Sequence, residues 1–327
     1  MPPKNKKPKN KYNTNTNTSN TLITAQSEFL KSIPTKVREN FFSNKHTDAE
    51  TRADIWSRQA DLGEQLVNKH SWATPDERCM RILKHFGMPS KSQSQSQSQS
   101  AGIVEIGCGA NAYWARMMRK EGIDVMAYDF SLGDGGQITP DEKGGNSKSK
   151  KRKMDDSTRS AKTFEDGFVM HQGGPEVLAT KKNKNRTLFL CYPDEDVMEE
   201  EDADADSESM SMGAACLENF KGDTVIHVGE LFSDTLSMDQ APWGRSSGPE
   251  FQQRLASEYH CILKAKLSNW LHVSDTISVW KRTELCCIVF QGEGGDDGDE
   301  EVEYRHIPKD QLLPSDVAAP CVKHLLE

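Results

Sequence analysis

The residue types and spacings suited to chemistry are concentrated between Glu105 and Asp129. Gly107 and Gly109 follow the apolar run Ile103, Val104 and Ile106, and they precede Tyr113, Trp114, Ala115, Arg116, Met117 and Met118. A buried strand, a tight glycine turn and a helix start are the expected elements, an arrangement that holds a nucleoside. A Cβ at Gly107 would obstruct the turn, and one at Gly109 would keep a ligand's sugar or backbone away from the loop. The loop amides and the helix N-terminus then offer donors to a polar ligand. Asp129 closes a second strand-like run that begins at Asp124, and it lies twenty residues beyond Gly109. A carboxylate at that place can accept both hydroxyls of a ribose.

Two nucleoside cofactors fit this frame. Gly107, Gly109 and Ala112 satisfy the G-x-G-x-x-A pattern of dinucleotide loops, which as a bare pattern is a weak signal. Glu105 discriminates, because dinucleotide loops usually carry an apolar residue two places before the first glycine. With its acidic-x-Gly-x-Gly order, the segment resembles the first motif of the class I S-adenosylmethionine-dependent methyltransferases. The chain looks most like poorly characterised eukaryotic members of that superfamily, a likeness that names no substrate. Asn111 stands where the family has a third glycine, and asparagine tolerates positive φ better than other non-glycine residues. The resemblance implies S-adenosyl-L-methionine as cofactor. Gly107 and Gly109 then line its methionine and ribose moiety, with Cys108 and Asn111 completing the loop. By the same implication Glu105 sits near the ligand's amino end, Asp129 holds the ribose, and Tyr113 and Trp114 lie on the cofactor side.

Three further strands are expected around this unit: Phe168 to Met170, Thr187 to Pro193 and Thr224 to Glu230. Ligands of open α/β sheets bind beyond the carboxyl ends of the strands, so the residues at and just past those ends are the ones to weigh. Those are Gln172 and Gly173, then Cys191, Tyr192 and Pro193, then Glu230. Cys191, Tyr192, Pro193 and Glu230 are the candidates on the substrate side. Amino-group methyltransferases often place Asn/Asp-Pro-Pro-aromatic at the fourth strand's end. Cys191-Tyr192-Pro193-Asp194 departs from that motif and puts an amino-nitrogen substrate in doubt. His227, inside its strand, is read as structural.

A helix is expected over Ala214 to Lys221 and another from about Glu250 to Lys266, where Phe251, Leu255, Tyr259 and Ile262 share a face. Asp275 to Arg282 and Leu285 to Phe290, separated only by Thr283 and Glu284, read as a closing hairpin. Ahead of the glycine loop, Phe29, Leu30, Ile33 and Val37, and then Ile55, Leu62 and Leu66, have helical spacing. Thr74, Pro75 and Glu77 read as the N-cap, first turn and capping box of a helix running to Phe86. Trp72, just before it, is either a lid residue over the cofactor or a core residue. The fold expected is therefore α/β: a Rossmann-like class I methyltransferase sheet, mostly parallel with a C-terminal antiparallel β-hairpin. Helices cover both faces, and a helical extension precedes the sheet.

Composition sets the boundaries. Apolar residues make up 35% of the 327, and mean hydropathy is −0.73, a deficit concentrated in separate polar stretches. Residues 1–24 form a basic and polar tail, read as solvated rather than bound to nucleic acid. Residues 25–89 are the helical extension and 90–100 a Ser-Gln linker. Residues 101–291 are the methyltransferase-like domain, with disordered inserts at about 131–165 and 194–212, and 292–327 are an acidic, peripheral tail. The second insert is rich in carboxylates and lacks basic residues, so a basic partner is one role for it.

No apolar run has the length of a membrane span, and the basic N-terminal stretch lacks the apolar segment of a secretory signal. The eight cysteines show no zinc-ligand spacing, so no metal is expected and reduced, buried thiols are. The expected compartment is the cytoplasm, with the nucleus as an alternative because of the basic cluster Lys148 to Lys153. Two other functions stay open at this stage. One is a catalytically inactive methyltransferase-like scaffold, and the other is an NAD-dependent enzyme.

Overall fold

The computed structural model describes residues 20–88, 102–132, 160–194, 210–236, 240–282 and 318–326. The Ser-Gln linker, the basic cluster, the run Leu285 to Phe290, and most of the tails and inserts lie outside the described residues.

Apolar runs made the sheet. Strand β1 (Ile103–Ile106), β2 (Val125–Asp129), β5 (Thr187–Cys191) and β6 (Thr224–Gly229) are buried almost without interruption, as strands covered on both faces must be. With β3 (Ala161–Thr163), β4 (Val169–Gln172), β7 (Tyr259–Lys266) and β8 (Thr276–Arg282) they form one eight-stranded sheet of order β3-β4-β2-β1-β5-β6-β8-β7. The run β4-β2-β1-β5-β6 is parallel, while β3, β8 and the β7–β8 pair are antiparallel joins. The chain is thus an α/β fold on a mixed, mostly parallel sheet.

The pleat sends alternate side chains to opposite layers. Ile103, Val125, Ala127, Phe189 and Ile226 pack with helices α4 (Glu77–Gly87) and α5 (Tyr113–Lys120). Val104, Ile106, Met126, Tyr128, Leu188 and Leu190 pack with α6 (Met212–Asn219), α7 (Pro249–Glu258) and a short 3-10 helix at Pro175–Ala179. The N-terminal extension supplies α1 (Thr21–Ser32), α2 (Thr35–Glu39) and α3 (Ala49–Val67). There Phe29, Ile33, Phe41 and Ile55 form a separate small core, against which Trp270 and Leu271 pack.

The structure corrects the sequence reading in several places. The expected helix to Lys266 ends at Glu258, and Tyr259 opens strand β7. A bulge between Cys261 and Leu263 buries Cys261, Ile262 and Leu263 in succession, which erases the alternation that marks a strand. The hairpin partner of Thr276–Arg282 is therefore β7, which precedes it in the chain.

Helix α4 starts after Asp76, whose side chain accepts from Cys79 N at 2.8 Å, so Thr74 is not its cap. Residues 20–24, assigned to the tail, begin α1: Asn20 caps it and Leu22 is fully buried. The margins of both inserts are ordered as well. Residues 161–163 form the edge strand β3, and Asp194 is buried. The last described stretch packs on the core through Ala318, Ala319, Val322 and Leu325.

Candidate functional site

The glycine loop joins β1 to α5 at the carboxyl edge of the sheet. Gly107 and Gly109 adopt φ of 70° and 68°, a region that L residues seldom enter. A Cβ on Gly109 would meet nothing within 4 Å, so that glycine faces open space. One on Gly107 would lie 2.7 Å from the Met212 methyl, so the first residue of α6 walls that side. The left-handed residue late in the turn is Ala112, at φ 43°, whereas Asn111 is absent from the positive-φ positions. The role of turn residue given to Asn111 thus falls to Ala112. The Asn111 side chain instead donates to the Asn68 carbonyl at 2.6 Å.

The loop's amides are already engaged. Gly107 N and Cys108 N donate to the Tyr128 carbonyl at 2.9 and 3.2 Å, and Gly109 N donates to Asp129 Oδ2 at 2.8 Å. Asp129 Oδ1 accepts from Ser131 N at 3.0 Å. Lys162 and Arg116 bond the loop carbonyls of Ala110 and Asn111.

Glu105 emerges on the α5 face, 2% exposed, and is bonded by the Ala115 backbone amide. Its Oε2 is buried with no hydrogen-bond partner among the described residues. Burial first, and the Asp129 charge after it, push the Glu105 carboxyl up to about 8. The Cys108 thiol, also buried, is pushed well up by the same desolvation and by both carboxylates.

Two expected cofactor residues turn away from the loop's open side. Trp114 is 2% exposed and packs on Phe189 with ring centroids 5.3 Å apart, so it belongs to the core. Tyr113 donates to Asn20 Oδ1 at 2.5 Å and stands edge-on to His70. Asn20 in turn donates to the Pro75 carbonyl. The connection from Asn68 to Pro75 is thereby stitched to the start of α5. Farther along it, Trp72 is 38% exposed and lies nearly parallel to Tyr192, with centroids 6.2 Å apart. Trp72 therefore stands partly exposed at the carboxyl edge and not inside the core. Phe130, 61% exposed beside Asp129, rests on Gly174; the sequence reading passed over it, although an aromatic directly after the acidic residue was the available signal.

At the end of β4, Gln172 is paired across the sheet with Asp129 and donates to the Phe130 carbonyl, and Gly173 N donates to the Asp129 carbonyl. The end of β5 holds the substrate-side candidates. Cys191 is half-buried, and Tyr192 and Pro193 are buried. Tyr192 takes φ of 53°, a costly conformation for a bulky residue and one that clusters at functional sites. Its hydroxyl donates to Asp275 Oδ1 at 2.6 Å. The Arg245 guanidinium lies 5.0 Å from the Trp72 ring and 5.6 Å from the Tyr192 ring.

Glu230, at the end of β6, is 2% exposed; its Oε1 accepts from Ser274 N, and its Oε2 has no partner among the described residues. Desolvation, with Glu230 nearby, pushes the Asp275 carboxyl up to about 7, against the lowering effects of the Tyr192 hydrogen bond and Arg245. Burial also holds the Tyr192 phenol well above its usual range. Asp275 and Arg245 were not among the sequence candidates. Asp275 reaches this edge only because β8 runs antiparallel, which sets its N-terminal end beside the carboxyl end of β6.

No protein-family model, curated protein or solved structure matches the chain.

His227 is fully buried against Phe251, with neither ring nitrogen hydrogen-bonded among the described residues. Desolvation holds it down to about 3, so it is a neutral core residue. Asp194, counted with the acidic insert, instead accepts from Gly213 N at 2.7 Å and Gly248 N at 3.0 Å, tying together the starts of α6 and α7. Among the described residues no cluster of His, Cys, Asp and Glu has the makings of a metal site. None of their helices is long and apolar enough to cross a membrane.

Proposed function

We propose that the chain is an S-adenosylmethionine-dependent methyltransferase whose sheet is the class I methyltransferase version of the Rossmann-like fold. The observation that carries this reading is the state of the glycine loop. Its three leading amides are bonded to the Tyr128 carbonyl and the Asp129 carboxylate, and two carboxyl groups, Glu105 and Asp129, stand within electrostatic reach of each other at its base. A pyrophosphate requires free amides at a helix start and would be repelled by carboxylates. A sulfonium ligand with an amino group and a ribose suits them. This favours S-adenosylmethionine over NAD.

Strand order adds support. A dinucleotide-binding sheet continues in parallel beyond its fifth strand, whereas here antiparallel β8 lies between β6 and β7. Such a closing antiparallel pair is what the methyltransferase resemblance leads one to expect.

The residues present fit the cofactor. Asp129 has acceptor capacity left on both oxygens for ribose hydroxyls, and the unpartnered Glu105 Oε2 is suited to an amino group. Open space at Gly109 admits the sugar, Met212 walls the Gly107 side, and Phe130 offers an exposed ring beside Asp129. When bound, the cofactor supplies an electrophilic methyl group. The protein's own part is to hold and orient the reactants and to exclude water under the connection from Asn68 to Pro75.

The test is a thermal-shift titration with S-adenosylmethionine, S-adenosylhomocysteine and NAD in parallel. A ligand at a hundred times its dissociation constant adds about 2.7 kcal/mol. Stabilisation by both sulfur ligands, lost in Asp129→Ala, is the expected result. Stabilisation by NAD alone would overturn the reading.

A further inference from the structure

Beyond the cofactor loop, the substrate-side candidates Tyr192 and Glu230 meet Asp275, Arg245 and Trp72 at the same sheet edge. We propose that this cluster is the acceptor side of the site, that Tyr192 takes the proton of the incoming nucleophile and passes its own to Asp275, and that the acceptor is a hydroxyl on a flat unsaturated ring, a phenol or enol. This inference rests on the methyltransferase reading and specifies the substrate class of that site.

Position comes first. The pairing of β1 with β5 sets the end of β5 one strand away from the glycine loop, so Tyr192 follows the strand end that neighbours Gly107. Its left-handed backbone turns the residue at that edge, and its amide remains bonded to the Val228 carbonyl. The hydroxyl is then held at 2.6 Å from a carboxylate that is itself almost fully buried. A buried Tyr–Asp hydrogen bond next to a second buried carboxyl with an unpartnered oxygen is costly unless it serves a purpose. Proton acceptance is such a purpose, because a carboxylate held near neutrality is a suitable base.

The acceptor class follows from the surroundings. Trp72, 38% exposed, and Tyr192 lie nearly parallel, so a flat ring that enters along the edge of this pair meets aromatic surface while its hydroxyl reaches that of Tyr192. The Arg245 guanidinium over both rings disfavours an ammonium group and suits an oxygen that gains negative charge. The groups that set the charge on Asp275 are Tyr192, Glu230 and Arg245.

The transfer balances. The acceptor oxygen forms its bond to the methyl carbon as the carbon–sulfur bond breaks, and sulfur keeps that electron pair. The acceptor's proton goes to Tyr192 Oη, and the Tyr192 proton goes to Asp275 Oδ1. Sulfonium and carboxylate become thioether and carboxylic acid, so net charge is conserved. Tyr192 is the catalytic residue here, and Asp275 is a positioning and proton-storing residue that acts through it.

The experiment uses the full chain with S-adenosylhomocysteine, followed by calorimetry, and meta-nitrophenol as probe, followed by tryptophan fluorescence and by the colour of its ionised form. The expected result is binding of meta-nitrophenol but not of cyclohexanol, with an affinity loss on the order of tenfold in Trp72→Ala. Between about pH 7, where Asp275 ionises, and the higher pH at which the probe ionises free in solution, the bound probe is ionised in the wild type. It stays neutral in Tyr192→Phe and Asp275→Asn, and Asp275→Glu restores ionisation. S-adenosylhomocysteine binding is unchanged in Tyr192→Phe, Asp275→Asn and Asp275→Glu, which separates this inference from the cofactor reading. A wild type that binds S-adenosylhomocysteine but not the phenol overturns the acceptor class. A bound phenol whose ionisation is the same with and without Asp275 overturns the proton route.

Discussion

The two halves of the proposed site, the cofactor half and the acceptor half, are built in opposite ways. The cofactor half is local: Glu105, Gly107, Gly109 and Asp129 come from one strand–loop–helix–strand unit and are fixed by bonds within it. The acceptor half is assembled from four distant segments, with Trp72 from the extension, Tyr192 after β5, Arg245 from the connection following β6, and Asp275 before β8. The local half keeps one carboxylate, Asp129, partly exposed near an open glycine, while the assembled half buries both of its acids, Glu230 and Asp275. A binding loop needs backbone freedom and can be encoded in a short motif. A proton-accepting site needs desolvation, and desolvation is supplied by the whole fold.

The sharpest way to break the division is at Trp114, which follows the glycine loop directly but lies inside the core. Trp114→Ala removes a ring packed on Phe189 and is expected to cost about 3–5 kcal/mol, read as a lower urea midpoint. Trp114→Phe refills most of that volume and should bind S-adenosylhomocysteine as the wild type does. If Trp114→Phe keeps its stability but loses the ligand, this tryptophan belongs to the cofactor half after all.

Legibility in the sequence followed the same line. β1, β2, β5 and β6 were readable because strands buried on both faces are nearly continuous apolar runs. β7 was not, because its bulge buries three residues in a row and Tyr259 and Ile262 also extend the helical spacing of Phe251 and Leu255. β3 is a short polar edge strand inside a polar stretch. Asp129 was picked out as a candidate by its spacing from Gly109, and Glu105 by an acidic residue standing two places before Gly107. Asp275 was invisible as a site residue for a topological reason: it borders Glu230 only once β8 is placed antiparallel beside β6. Asp194 looked like the first residue of an acidic tract, and only the meeting of two helix starts shows why it is buried.

Titration sharpens the comparison, because each half holds one carboxyl raised by burial, Glu105 to about 8 and Asp275 to about 7. Both bind their protons more tightly in the folded chain than in the unfolded one. Their contribution to stability is therefore fully present below the unfolded value of about 4 and is lost as pH climbs through the folded values. The urea midpoint of the ligand-free protein is expected to fall between about pH 6 and about pH 8. Glu105→Gln cannot ionise, and it should remove on the order of 2 kcal/mol of that decline. An unaltered decline in Glu105→Gln would place the titrating group elsewhere.

The smallest expected effect concerns the seam between the halves. Asn111 stands where the methyltransferase motif has a glycine, yet its side chain reaches across to the Asn68 carbonyl and fastens the connection that carries Trp72. Asn111→Ala deletes one partly solvated hydrogen bond and should cost about 1 kcal/mol. Because the turn's left-handed residue is Ala112, the loop keeps its shape, and S-adenosylhomocysteine affinity should stay unchanged. The loss should instead appear as faster amide hydrogen exchange between Asn68 and Pro75, the segment released from its anchor. A variant that loses affinity while exchange there stays constant would return Asn111 to the ligand, and with it the role that the motif's glycine suggests.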